Sequence, residues 1–182
     1  MIIDALRELA LEKDYKEITV SDIVKRADIG RATFYAHFED KNDLGRFLFN
    51  QLLMQIEQEI QTILNESESE DKDYQKLVPS LAVFRIAQDK HRWFKMNATN
   101  PEIGLKMLVP PLIKRVEKRL NTLSLTVGKD NLPQQISANF LVSGLIALLT
   151  DWVVADMPTS PEAMDAAYQK LARPTLDMLL GK

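Results

Sequence analysis

Between positions 19 and 41 the chain carries side chains able to donate hydrogen bonds to phosphate oxygens and base edges: Thr19, Arg31, Thr33, Tyr35, His37 and Lys41. Arg31 can reach a guanine edge or a phosphate. Thr33, Tyr35 and His37 can donate to phosphates, and Tyr35 can also pack on a sugar or a thymine methyl. Lys41 falls in the first turn of a following helix, where an ammonium and free N–H groups can clamp one phosphate. Other chemistries lack their residues. Without cysteine, disulfides, iron–sulfur clusters and thiolate zinc sites are excluded. The two histidines, His37 and His91, are too far apart in sequence to make a metal pair at helical spacing. There is no Gly-rich phosphate loop and no nucleophile–base pairing, so the chain reads as a binding protein, with no catalytic residue, metal or cofactor.

These donors need a scaffold, and the apolar spacing of three and four supplies helices throughout, with no strand-like alternation. Ile3, Leu6, Leu9 and Ala10 predict a first helix ending near Asp14, where a short polar side chain tolerates a left-handed backbone. Thr19 with Asp22 resembles a capping box and starts a second helix over 20–27, burying Val20, Ile23, Val24 and Ala27. Asp28-Ile29-Gly30 is a turn. A third helix follows from Arg31 to about Phe38, with Ala32, Phe34 and Phe38 turned inward. Two short helices joined by a tight turn let the second enter a major groove about 12 Å wide while the first braces it. Asp40 with Asp43 starts a long fourth helix whose stripe is Leu44, Leu48, Leu52, Ile56, Ile60 and Ile63.

The run from Leu6 to Phe49, and above all Arg31-Ala32-Thr33-Phe34-Tyr35-Ala36-His37-Phe38 with Lys41 and Leu44, resembles the N-terminal domain of TetR/AcrR regulators. The resemblance covers about the first quarter of the chain. It implies an all-α protein: a three-helix DNA-binding domain with a helix-turn-helix, residues 1–48, a long connecting helix, and a helical effector-binding and dimerisation domain, residues 49–182. It further implies double-stranded DNA with a palindromic operator, a homodimer, an unidentified small-molecule effector, and repression by family habit. Thr19, Gly30, Arg31, Thr33, Tyr35, His37 and Lys41 form the expected DNA-binding set. Relatives often carry glycine where this chain has Asp14 and Asp28, serine where it has Gly30, and a basic extension before the first helix. Residues 1–48 hold eight Lys/Arg against ten Asp/Glu, so binding rests on the placement of a few cations and is salt-sensitive. An alternative is a relative that uses DNA as a scaffold for protein interactions, without small-molecule control.

Beyond the acidic break at 66–73, helices are predicted near 74–90, 92–98, 102–108, 110–124, 132–156 and 161–180, with prolines at most edges and Pro79 and Pro174 inside. Phe84, Trp93, Phe94, Met96, Met107 and Phe140 are the candidate effector-pocket residues, since such sites are mostly apolar. Leu141, Leu145, Leu148, Trp152, Leu171, Leu176 and Leu179 are expected to form a four-helix dimer seam. The helix at 132–156 reads as buried nearly all round, so Asp151 would need a partner such as Lys170 or Arg173. The N-terminus has acidic residues in its first turns, unlike a signal peptide. The longest apolar stretch, Phe140–Leu149, falls short of the roughly 20 residues of a membrane span. With a net charge of −3, the expectation is a cytoplasmic protein that binds DNA through a local face.

Overall fold

A computed structural model of the chain describes residues 1–66, 72–98, 108–123 and 134–180. Among these residues there are ten α-helices and no strand. The predicted helix at 102–108 apart from Leu108, the side chain of Met96 and most of the acidic break lie outside the described residues, Met107 among them.

The first core is small and local. Helix α1 (Ile2–Leu9), a 3-10 turn (Tyr15–Glu17), α2 (Val20–Arg26) and α3 (Arg31–Tyr35) close around Ala5, Leu6, Leu9, Ile18, Ile23, Val24, Phe34 and Leu44. Arg26 of α2 reaches Glu12 at 2.6 Å and Glu8 at 3.3 Å, and Lys13 reaches Asp22 at 2.9 Å. Helix α4 (Lys41–Glu66) is 26 residues long, about 40 Å at 1.5 Å per residue. Its stripe serves two cores in succession. Leu44 and Leu48 pack into the first, whereas Leu52, Ile56, Ile60 and Ile63 pack into the second.

The second core gathers α5 (Lys72–Leu77), α6 (Ser80–Asp89), α7 (His91–Ala98), α8 (Val109–Leu123), α9 (Gln134–Val154) and α10 (Pro161–Leu180). Phe84, Phe94, Leu77, Leu108 and Leu149 are fully enclosed. The 74–90 helix divides at Pro79, which takes the N-cap of α6 and has no N–H to continue α5. Pro174 stays inside α10 on an exposed position. Helix α9 ends in a Schellman motif: Met157 N–H donates to the Trp152 carbonyl (2.8 Å), with Asp156 left-handed at φ 67°.

Three expectations change. Helix α1 ends at Leu9, and Asp14 is extended (φ −57°, ψ 140°) because it caps the 3-10 turn and does not close α1. Helix α9 is not buried all round. Ile136, Phe140, Ser143, Ala147, Asp151 and Val154 form an exposed stripe, so Asp151 faces water and needs no buried partner; Arg173 lies over the Tyr74 ring at 4.4 Å. The expected seam leucines largely serve the chain's own interior. Leu141, Leu145, Trp152, Leu176 and Leu179 are buried and Leu148 is half-buried, leaving Leu171 (70% exposed) outside. By length and composition α9 could cross a membrane, but half of its apolar window is buried within the protein.

Candidate nucleic-acid interface

Helix α2 begins with the capping box that its sequence encodes. The Thr19 hydroxyl accepts from Asp22 N–H (3.2 Å), and Asp22 accepts from both the Thr19 amide and its hydroxyl at 2.8 Å. The Lys13 ammonium and these Thr19 bonds hold the Asp22 carboxyl far below the usual carboxylate range. At the other end α2 closes in a Schellman motif, with Ile29 N–H donating to the Val24 carbonyl at 3.0 Å. The residue between the helices that must be left-handed is Asp28 (φ 52°). Gly30 is extended (φ −76°, ψ 154°) and is the N-cap of α3, without a side chain to cap it.

The tight turn sets α3 across α2 with Phe34 at 0% exposure as its anchor. Phe38, half-buried in the turn after α3, meets Phe34 at a tilt (ring centres 5.9 Å apart) and Phe47 of α4 edge-on (5.7 Å). Ala32, expected inward, is exposed: α3 has five residues, and Phe34 is the one among them that reaches the core. The outward row is therefore Arg31, Ala32, Thr33, Tyr35, Ala36 and His37, all exposed, with Tyr35 at 56%. Thr19 and Gly30 are exposed too, so the sequence-predicted set shares accessible positions at the starts of α2 and α3 and along α3.

Lys41 differs from the rest. It is half-buried, and its ammonium donates to the Tyr15 carbonyl (2.7 Å) and lies 4.4 Å from the centre of the Tyr15 ring. Burial, and then the like charge of Lys13, lower its pKa. The Tyr15 hydroxyl in turn donates to the Lys41 carbonyl (3.0 Å) and meets Asn42 Oδ1 at 3.3 Å. Two positioning residues escaped the sequence reading. Tyr15 holds the Lys41 ammonium through its carbonyl and ring, and Ser21 accepts from Arg31 Nη2 at 2.6 Å. Both contacts join elements ten or more residues apart, and no local pattern announces them.

Of the candidate pocket residues, Phe84 and Phe94 are fully buried in the second core. Trp93 packs edge-on against Phe94 at 5.0 Å, and Phe84 against Trp152 at 5.5 Å. Phe140 does not join them. It is 61% exposed and, with Leu141, Gly144, Leu148, Tyr168, Leu171 and Ala172, lines a shallow apolar depression between α9 and α10.

Comparison with known proteins agrees with this geometry. Residues 2–46 match the model of bacterial regulatory proteins of the tetR family, and residues 94–174 match that of a transcriptional regulator C-terminal region. The chain is 22% identical over 172 residues to YhgD, an uncharacterized HTH-type transcriptional regulator of Bacillus subtilis, covering 90% of this chain and 88% of that protein. It shares its fold with a TetR-family transcriptional regulator from Syntrophomonas wolfei (TM-score 0.74, 18% identity, 96% of this chain and 92% of the other). A second structure of the same fold is the fatty acid degradation regulator FadR of Bacillus halodurans (TM-score 0.62, 21% identity, 99% and 96%).

Proposed function

The chain belongs to the TetR family of transcriptional regulators, and from that premise we propose that it is a cytoplasmic repressor that binds a palindromic operator as a homodimer and is released by a small molecule. Residues 1–48 act as the DNA-binding domain and residues 49–182 as the effector and dimerisation domain, a division supported by the two separate cores that α4 joins. The observation that carries the DNA reading is the exposed row on α3, braced from beneath by Phe34. Arg31, Thr33, Tyr35 and His37 enter the major groove, Thr19 and Gly30 lie against its edge, and Lys41 meets a phosphate at the start of α4.

The dimer forms through the exposed stripe of α9 and the outer face of α10. Ile136, Phe140, Val154, Leu171 and Met178 are large apolar side chains left in water by a single chain. A stable seam covers on the order of 1,200–2,000 Å². Phe84, Trp93 and Phe94 are proposed to border the effector pocket, with Phe140 at the seam. Effector binding changes the separation of the two α3 helices and so weakens DNA binding.

The test starts by selecting bound sequences from a random DNA pool, then titrates four variants on the selected site at two salt concentrations. Tyr35→Phe, His37→Ala and Lys41→Ala should weaken binding to all sequences, and Lys41→Ala should make the salt slope shallower by about one unit. Arg31→Ala should relax preference at one base pair by about 1–3 kcal/mol. Parental binding by all four variants would remove α3 as the reading element.

A further inference from the structure

We infer that Arg115 and Arg119, on the flank of α8, form a binding site for the anionic group, carboxylate or phosphate, of a small molecule that displaces Glu57 from Arg115. This deepens, and rests on, the reading that a small molecule controls DNA binding. The two arginines are four residues apart and so share one face of the helix, one turn apart. They flank Leu112, Val116 and Leu120, each no more than 2% exposed. Neither side chain stands free in water: that of Arg115 is 25% exposed, and Arg119 is half-buried.

The imbalance of charge is the central observation. Arg115 forms an ion pair with Glu57 of α4, yet its Nε is sealed from solvent and donates to nothing. Arg119 makes one long hydrogen bond, 3.4 Å from Nη1 to the carbonyl of Gln75 on α5, and no ion pair among the described residues. Among the described residues, two neighbouring guanidiniums with ten N–H donors between them thus have one carboxylate partner, Glu57 on Arg115. A charge drawn partly out of water is stabilised by pairing, and among the described residues Arg119 has no counterion. Burial lowers the pKa of both, and the like charge of Arg119 adds to the shift at Arg115. Planar guanidinium forks match carboxylate and phosphate oxygens two at a time.

The site also sits where it can matter for DNA binding. Glu57 and Glu59 are both on α4, the helix that passes from the first core into the second. Glu59 is held by Arg85 of α6 at 3.2 Å, and Arg85 also reaches Glu162 of α10 at 3.1 Å. Helix α4 is therefore tied to α8 by one ion pair and to α6 by another, which Arg85 extends to α10. An anion that takes Arg115 cuts the first tie and leaves the second, freeing α4 to shift against α8.

Isothermal titration of the full chain with octanoate, octyl phosphate, inorganic phosphate and neutral octanamide tests the assignment. Octanoate and octyl phosphate distinguish the two head groups, and inorganic phosphate shows whether the head suffices. At least one anion should bind, and octanamide should bind at least about tenfold more weakly than octanoate or not at all. Arg119→Gln should lose about tenfold in affinity, with Arg119→Lys between it and the parent because the charge remains and the fork is lost. Glu57→Gln removes the competing carboxylate and should tighten anion binding by about tenfold. A purely structural Arg115–Glu57 pair gives the opposite pattern, a less stable variant with no gain in affinity. The site is overturned if no anion binds the parent or Glu57→Gln, or if Arg119→Gln binds them equally well. Release from the selected DNA is measured separately. A metabolite that releases the parent and Arg119→Gln alike would overturn this assignment while leaving effector control standing.

Discussion

Gly45, the fifth residue of α4, offers a substitution whose sign depends on one neighbour. A Cβ built there lies 2.7 Å from Tyr15 Oη, 3.5 Å from Cζ and 3.8 Å from Cε2, so Tyr15 must withdraw if Gly45 becomes alanine. Its withdrawal stretches the 3.0 Å bond to the Lys41 carbonyl, worth about 0.5–1.5 kcal/mol. It also loosens the ammonium over the ring, worth about 0.5–1 kcal/mol at a partly exposed site. Against this, alanine in a helix gains about 1 kcal/mol over glycine. Gly45→Ala should therefore be neutral to destabilising by up to about 1.5 kcal/mol in the parent. In Tyr15→Ala the obstruction is gone and the same change should stabilise by about 1 kcal/mol. Urea unfolding of the four members of this cycle, followed by circular dichroism, measures the coupling, expected at about 1–2.5 kcal/mol. Equal shifts in both backgrounds, additive within about 0.5 kcal/mol, would refute the claim that Tyr15 closes over Gly45.

Further outcomes follow from the same geometry. Gly30→Ser should be accommodated, since φ is −76° and a Cβ there meets only Thr33 Oγ1 at 4.0 Å; the new hydroxyl caps α3, raising stability by a few tenths of a kcal/mol in urea unfolding. The Asp22 carboxyl is held low by Lys13 and Thr19, so its contribution is complete above the unfolded carboxylate value and is lost as pH falls through the lowered folded one. Helix α2 should accordingly loosen only in acid below about pH 4, and Asp22→Ala should remove that part of the acid transition, read from amide exchange of residues 19–24. Leu171→Glu changes a side chain that is 70% exposed in one chain, so it should leave the protomer folded while light scattering reports loss of the dimer. A dimer that persists would place the seam elsewhere.

The helix-turn-helix end was legible because its information is local. Thr19 and Asp22 are three residues apart and cap the helix they begin, Asp28 and Gly30 fall in a turn of four residues, and the tract from Arg31 to Phe38 with Lys41 is contiguous enough to resemble a family. Helical spacing likewise placed α4 and its stripe, because a period of 3.6 needs only one helix to show itself. Ala32 differs from expectation because burial at a helix end depends on where the next element crosses, and Asp14 because it caps the 3-10 turn and does not close α1. What only the tertiary structure decided involves pairs far apart in the chain. Tyr15 reaches Lys41 and Gly45, Arg85 joins Glu59 to Glu162, and Arg119 meets no acid among the described residues. Nor could sequence sort the apolar residues of α9 and α10 into those that fill the chain's own core, such as Leu141 and Leu176, and those that it leaves in water, such as Phe140 and Leu171. Hydrophobicity states that a side chain should leave water, and the packing of distant helices determines against which surface it does so.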